Sequence, residues 1–178
     1  MPTESVECLI GADKLQARLH ELSVDIAQDM SALPPPLVVG ILTGAWIFMA
    51  DLVRLLPFEV TCDFIRLSSY RHGTTSSGTI ALEQEPRTTF DGRHVLIMDD
   101  IVDTGASALW ARAYFEQRAA SVRFCTLLDK PSRRTSEVTI DYIGFTVPDR
   151  FVFGYGIDIA GKFRNLPYIA AYKNDDRR

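Results

Sequence analysis

The apolar positions of the chain follow two rhythms. Leu15, Leu19, Leu22, Ile26 and Met30 recur at spacings of three and four. That is the single stripe of an amphipathic helix, ending before Pro34-Pro35-Pro36. Elsewhere Leu37 to Leu42 and Val95 to Met98 form short continuous apolar runs, which read as buried strands, and Ser121 to Leu128 reads as another strand. The first is followed by Thr43-Gly44-Ala45 and a helical pattern over Trp46 to Leu56. The second leads into a helical pattern through Leu109, Ala113 and Tyr114. Repeated strand-turn-helix units predict an α/β fold with a mainly parallel sheet. Glu59 to Leu67, Thr79 to Glu83, Val138 to Phe145 and Pro167 to Tyr172 add shorter strands, with Phe90-Asp91-Gly92 as a turn. Val147 to Asp158, rich in aromatic residues and glycine, has the composition of a core hairpin. Ser68 to Gly78 breaks every periodicity and reads either as a plain connection or as a lid. Asn174 to Arg178 reads as a frayed tail.

Length and composition narrow the class. The 178 residues, 47% hydrophobic and 24% charged, fit one ordinary globular domain with a sizeable core, without internal repeats. The net charge of −4 speaks against broad nonspecific nucleic-acid binding. No apolar run approaches the roughly 18 residues of a membrane span. The first residues carry acids and no hydrophobic run, unlike a secretory signal. Cys8, Cys62 and Cys125 are far apart and odd in number, so they are expected to be reduced thiols in a cytoplasmic protein.

The chemistry concentrates in His94-Val95-Leu96-Ile97-Met98-Asp99-Asp100-Ile101-Val102-Asp103-Thr104-Gly105-Ala106-Ser107. Two adjacent carboxylates stand where the buried strand is expected to end, and a turn of small residues opens the next helix. The acids suit Mg2+ or sugar hydroxyls, since a hard cation takes oxygen ligands. The turn offers backbone N–H groups and two hydroxyls to a phosphate at a helix N-terminus. Taken alone, an acidic pair after a strand is usually a solvated strand end, and a Thr-Gly turn only a tight connection. Together they describe a site for a phosphorylated sugar with a metal. The P-loop spacing is absent, which argues against a nucleoside triphosphatase. Thr43-Gly44 opens a second helix and forms a second candidate anion site. Lys130 follows a strand, at the end where open parallel sheets bind ligands. Arg133 and Arg134 read as a solvated basic turn, and His20, His72 and His94 receive no role.

The segment Val95 to Ser107 resembles the signature of the type I phosphoribosyltransferases. Ser69-Tyr70, Leu127-Leu128-Asp129-Lys130 and Pro148 to Asp158, in that order, narrow the resemblance to the hypoxanthine–guanine members, over about Leu37 to Pro167. It implies a five-stranded, mainly parallel sheet flanked by helices, spanning about residues 37–147. A small hood would come from the N-terminal segment and about residues 148–172. It implies transfer of the 5-phosphoribosyl group of phosphoribosyl pyrophosphate to a 6-oxopurine, with Mg2+ as cofactor, in a homodimer or homotetramer without nucleic-acid or membrane partners. Residue by residue, the resemblance places Asp99 and Asp100 on ribose hydroxyls and a Mg2+ hydration shell, and makes Asp103 the acid/base at purine N7. Thr104, Gly105, Ala106 and Ser107 would cradle the 5′-phosphate. Lys130 would donate to the 6-oxo group, Phe151 would stack on the base and the Val152 backbone would read its edge. Asp158 would ligate a second Mg2+, and Arg164 would meet pyrophosphate. Leu42, Thr43 and Gly44 would form the pyrophosphate loop, with a cis bond at Leu42–Thr43, and Ser69-Tyr70 would begin the catalytic lid. Many relatives carry lysine in place of Thr43 and aspartate in place of Asn165. The rival expectations are a phosphoribosyltransferase for another base, and a non-catalytic nucleic-acid regulator on the same fold.

Overall fold

A computed structural model describes residues 6–69 and 80–173. Its elements in order are β1 (Val6–Ile10), α1 (Ala12–Met30), β2 (Leu37–Leu42), α2 (Trp46–Val53), β3 (Thr61–Ser69) and β4 (Ile80–Gln84). They continue with β5 (His94–Val102), α3 (Ala106–Glu116), β6 (Ser121–Asp129), β7 (Tyr142–Thr146), β8 (Val152–Phe153) and β9 (Ile169–Tyr172).

Five strands run parallel in the order β3-β2-β5-β6-β7, and β4 adds an antiparallel sixth at the β3 edge. The expected five-stranded parallel sheet is therefore present and extended by one strand. Because successive side chains of a strand point to opposite faces, the apolar runs serve two cores at once. Val38, Leu96 and Met98 pack with the α1 stripe of Leu15, Leu19, Leu22, Ile26 and Met30 and with Phe48 and Leu52 of α2. Val39, Val95 and Ile97 face the other way, onto Ala108, Ala111 and Phe115 of α3.

A second, three-stranded antiparallel sheet, here called the hood, has the order β1-β9-β8. The strand β1 was not anticipated, since Val6 to Ile10 mixes Glu7 and Cys8 into its apolar residues. The hairpin expected from Val147 to Asp158 is not a regular one. Its strand content among the described residues is Val152–Phe153, followed by a tight turn closed by a Gly154–Ile157 bridge. Gly154, Tyr155 and Gly156 all take positive φ there, which disrupts extended backbone.

Candidate active site

The parallel sheet gathers the candidate residues because strands β2, β5 and β6 end on the same side. The expectation that β5 stops before the acidic pair is corrected by the structure. Its ladder with β6 continues to Val102, so Asp99 and Asp100 lie inside the strand. The Asp99 carboxylate accepts the Asp100 N–H at 3.0 Å, and the Asp100 carboxylate accepts the Ile101 N–H at 2.9 Å. Burial, and then the neighbouring Asp100 charge, push the Asp99 carboxyl well above the ordinary carboxylate range; burial raises Asp100 as well.

The loop after β2 packs onto this pair. The Leu42–Thr43 peptide is cis, as the resemblance implied. A Cβ at Gly44 would overlap the Asp100 carboxylate, and a Cβ at Gly156 would overlap the Gly44 carbonyl oxygen. Only residues without a side chain let carboxylate, loop and hood turn approach this closely. Gly105, at φ 90°, turns the chain from Asp103-Thr104 into α3, where its carbonyl accepts the Leu109 N–H. The Thr104 carbonyl accepts N–H groups from Thr135 and Ser136 at 3.0 and 3.1 Å, which fixes the turn from outside. Beside it lies a cavity of about 200 Å³ lined by Asp99, Asp100, Asp103, Thr104, Gly105 and Ser107, among others. Ala106 heads the helix and is not part of that lining.

A larger cavity of about 840 Å³ adjoins it, sharing Ile101 and Asp103. It brings together Asp103, Lys130, Phe151, Val152 and Asp158, five of the sequence-predicted residues. Lys130 is buried, and its ammonium donates to the Arg150 carbonyl at 2.5 Å. Phe151 is exposed, its ring centroid 6.3 Å from that of Tyr172. The Asp103 Oδ1 atom is buried without a hydrogen bond, although Arg133 Nε stands 3.0 Å away as an ion pair.

Leu42, Thr43, Gly44 and Arg164 line neither cavity. Arg164 donates to the Gly156 carbonyl at 2.6 Å and pairs with Asp158 at 2.7 Å. Among the described residues no three carboxylate, histidine or cysteine side chains form one metal cluster, so the acidic pair and Asp158 are separate positions. Ser69 ends β3 opposite Ile80, while Tyr70 and positions 70–79 of the expected lid lie outside the described residues.

The sequence did not single out Ile101, Asp149 or Arg150, and Arg133 was read as a solvated turn residue; all four line the larger cavity. Nothing in the sequence marks which arginine folds inward. The only signal was position, just after a parallel strand for Arg133 and just before Phe151 for Arg150.

The phosphoribosyl transferase domain model matches residues 11–160. The hypoxanthine-guanine phosphoribosyltransferase of Lactococcus lactis is 44% identical over 165 residues, covering 93% of this chain and 90% of that protein. The enzyme of the same name from Streptococcus pneumoniae is 42% identical over 168 residues, covering 94% and 93%. The chain belongs to the hypoxanthine–guanine phosphoribosyltransferase family. The family resemblance extends to three dimensions. A crystal structure of a hypoxanthine-guanine phosphoribosyltransferase from Bacillus anthracis superposes with a TM-score of 0.88 at 38% identity, covering 93% of this chain and 97% of that one. The family's architecture thus accounts for the mostly parallel sheet flanked by helices.

Proposed function

We propose that this chain is a purine-salvage enzyme that transfers the 5-phosphoribosyl group of phosphoribosyl pyrophosphate to N9 of hypoxanthine or guanine. The products are IMP or GMP and pyrophosphate. One observation carries the reading. In one cavity, a buried Asp103 oxygen, ion-paired with Arg133, makes no hydrogen bond and stands with donor-only Lys130 and the exposed ring of Phe151. A 6-oxopurine complements all three, with a ring N–H for Asp103, a carbonyl for Lys130 and a flat face for Phe151.

The chemistry follows from these groups. As N9 bonds to C1 of the sugar, the C1–oxygen bond to pyrophosphate breaks and positive charge grows on the ribose. Asp99 and Asp100 hold the ribose hydroxyls below the pyrophosphate loop at Leu42, Thr43 and Gly44. Thr104, Gly105, Ala106 and Ser107 offer hydroxyls and N–H groups to the 5′-phosphate. Asp103, an acceptor when ionised, takes the base proton as the ring nitrogen becomes nucleophilic. Val152 supports the base edge from β8, and Arg164 offers positive charge to the leaving group. Ser69 and Tyr70 open the segment that would exclude water.

The acidic pair fits Mg2+. Burial raises both carboxyls and the Asp100 charge raises Asp99 further, leaving an all-oxygen donor set whose negative charge a hard cation relieves. Asp99 and Asp100 would hold one ion, directly or through its water, and Asp158 a second. Bound Mg2+ supplies charge neutralisation on the departing pyrophosphate. The proposal extends to a cytoplasmic homodimer or homotetramer without nucleic-acid or membrane partners.

The test is nucleotide formation from phosphoribosyl pyrophosphate and Mg2+ with hypoxanthine, guanine, xanthine, uracil or orotate. Formation of IMP or GMP is expected. Turnover of a pyrimidine alone would overturn the base site, and binding of phosphoribosyl pyrophosphate without turnover of any base would favour a regulator on the same fold.

A further inference from the structure

We infer that Glu7, on the N-terminal strand and outside both cavities, is a positioning residue for base recognition, acting through Arg150 on Lys130. The inference rests on the base-site reading above. Three contacts form the relay. The Arg150 guanidinium donates through one arm to the Glu7 carboxylate and through the other to the Tyr172 carbonyl. The carbonyl of the same Arg150 accepts the Lys130 ammonium at 2.5 Å.

The sheet register explains the reach. Glu7 on β1 stands opposite Ala171 on β9, and Ala171 stands opposite Val152 on β8. Arg150, two residues before Val152, therefore spans the central strand to reach the far one. A guanidinium is a planar fork, so engaging both arms fixes its orientation far better than a single contact would. Fixing the side chain of Arg150 restrains its backbone, and with it the carbonyl that Lys130 meets. A lysine ammonium on four methylenes has no preferred direction of its own, so a fixed acceptor such as the Arg150 carbonyl narrows the directions in which it donates. Phe151 follows Arg150 in the chain and sits against Tyr172, so the same clamp orients the stacking ring.

The pair is open to water on one side, with Arg150 22% and Glu7 38% exposed. An ion pair of that exposure is a weak contributor by itself, so the expected effect is modest and confined to the base. Hood stability does not hinge on it, because β1 is also held to β9 by backbone pairing from Val6 to Ile10.

The experiment is steady-state kinetics on the full chain for Glu7→Gln, Glu7→Asp, Arg150→Gln and the Glu7→Gln/Arg150→Gln double variant, with Lys130→Met as reference. Glu7→Gln is expected to raise KM for hypoxanthine about two- to fivefold, leaving kcat and KM for phosphoribosyl pyrophosphate unchanged. Glu7→Asp should recover part of the loss, and the double variant should be no worse than Arg150→Gln alone. An unchanged KM for hypoxanthine in Glu7→Gln, an equal rise for both substrates, or additive effects in the double variant would overturn the relay while Lys130→Met still raises the KM for hypoxanthine. A Lys130→Met variant with unaltered base KM would instead overturn the base-site reading, and the relay with it.

Discussion

A carboxylate oxygen that is buried, charge-paired and without a hydrogen bond is costly to keep. Asp103 Oδ1 is such an atom, and a base N–H would satisfy it. Asp103→Asn should lower kcat by about 10²–10⁴-fold while phosphoribosyl pyrophosphate still binds with near-normal affinity in calorimetry. Equal losses in both would mean that Asp103 shapes the turn rather than moving a proton. Asp63 shows the opposite situation, a carboxylate fully provided for. Burial pushes its carboxyl up, but N–H groups of Thr88 and Phe64, at 2.6 and 2.7 Å, outweigh that and leave it below its ordinary value of 3.8. A lowered folded-state value contributes stability above the ordinary value that is lost as pH falls through the folded one. Asp63→Asn should therefore cost roughly 1–2 kcal/mol at neutral pH, and the gap to the parent in thermal melts should close below pH 3.8. Much of the residue chemistry was legible in the sequence, because an aspartate is an acceptor and a lysine a donor in any fold. The partners of Arg133 and Arg150 were not. Arg150 meets Glu7 across 143 positions of chain, a contact no local pattern encodes.

At the scale of elements, the site depends on how closely turns approach one another. Gly156, at φ 105°, leaves room for the Gly44 carbonyl, and Gly44 leaves room for Asp100. Gly156→Ala should cost about 1–3 kcal/mol, read as a lower urea midpoint with unchanged slope, and should raise KM for phosphoribosyl pyrophosphate because the Gly44 loop must move. An unchanged midpoint would mean that the hood turn relaxes freely. Continuous apolar runs gave β2 and the first half of β5 away, since a strand buried on both faces can hardly have another composition. The acidic pair hid the true end of β5: ladder pairing with β6 continues through Asp99 regardless of side-chain polarity. The strand β1 stayed hidden because its partner β9 lies at the far end of the chain. The turn at Gly154 to Gly156 lies inside a segment with the composition of a hairpin and has the dihedrals of a loop.

At the scale of the whole molecule, the parallel sheet delivers loops from β2, β5 and β6 to one edge, and the hood brings Phe151, Val152 and Asp158 to the same place. On the proposed reading, the sheet carries the sugar contacts, and the hood together with Lys130 at the end of β6 carries the base contacts. Such a division predicts that base selectivity can change without loss of the phosphoribosyl site. It also locates the central claim in the buried ammonium of Lys130, which has hydrogens to give and no lone pair to offer. The measurement that tests this most directly is kcat/KM for hypoxanthine against adenine on one preparation with saturating phosphoribosyl pyrophosphate and Mg2+. A preference for hypoxanthine of about 10⁴-fold or more is expected, because a 6-amino group facing Lys130 would leave donors opposed and unpaired. Comparable turnover of adenine would contradict the assignment of Lys130 to the 6-oxo group.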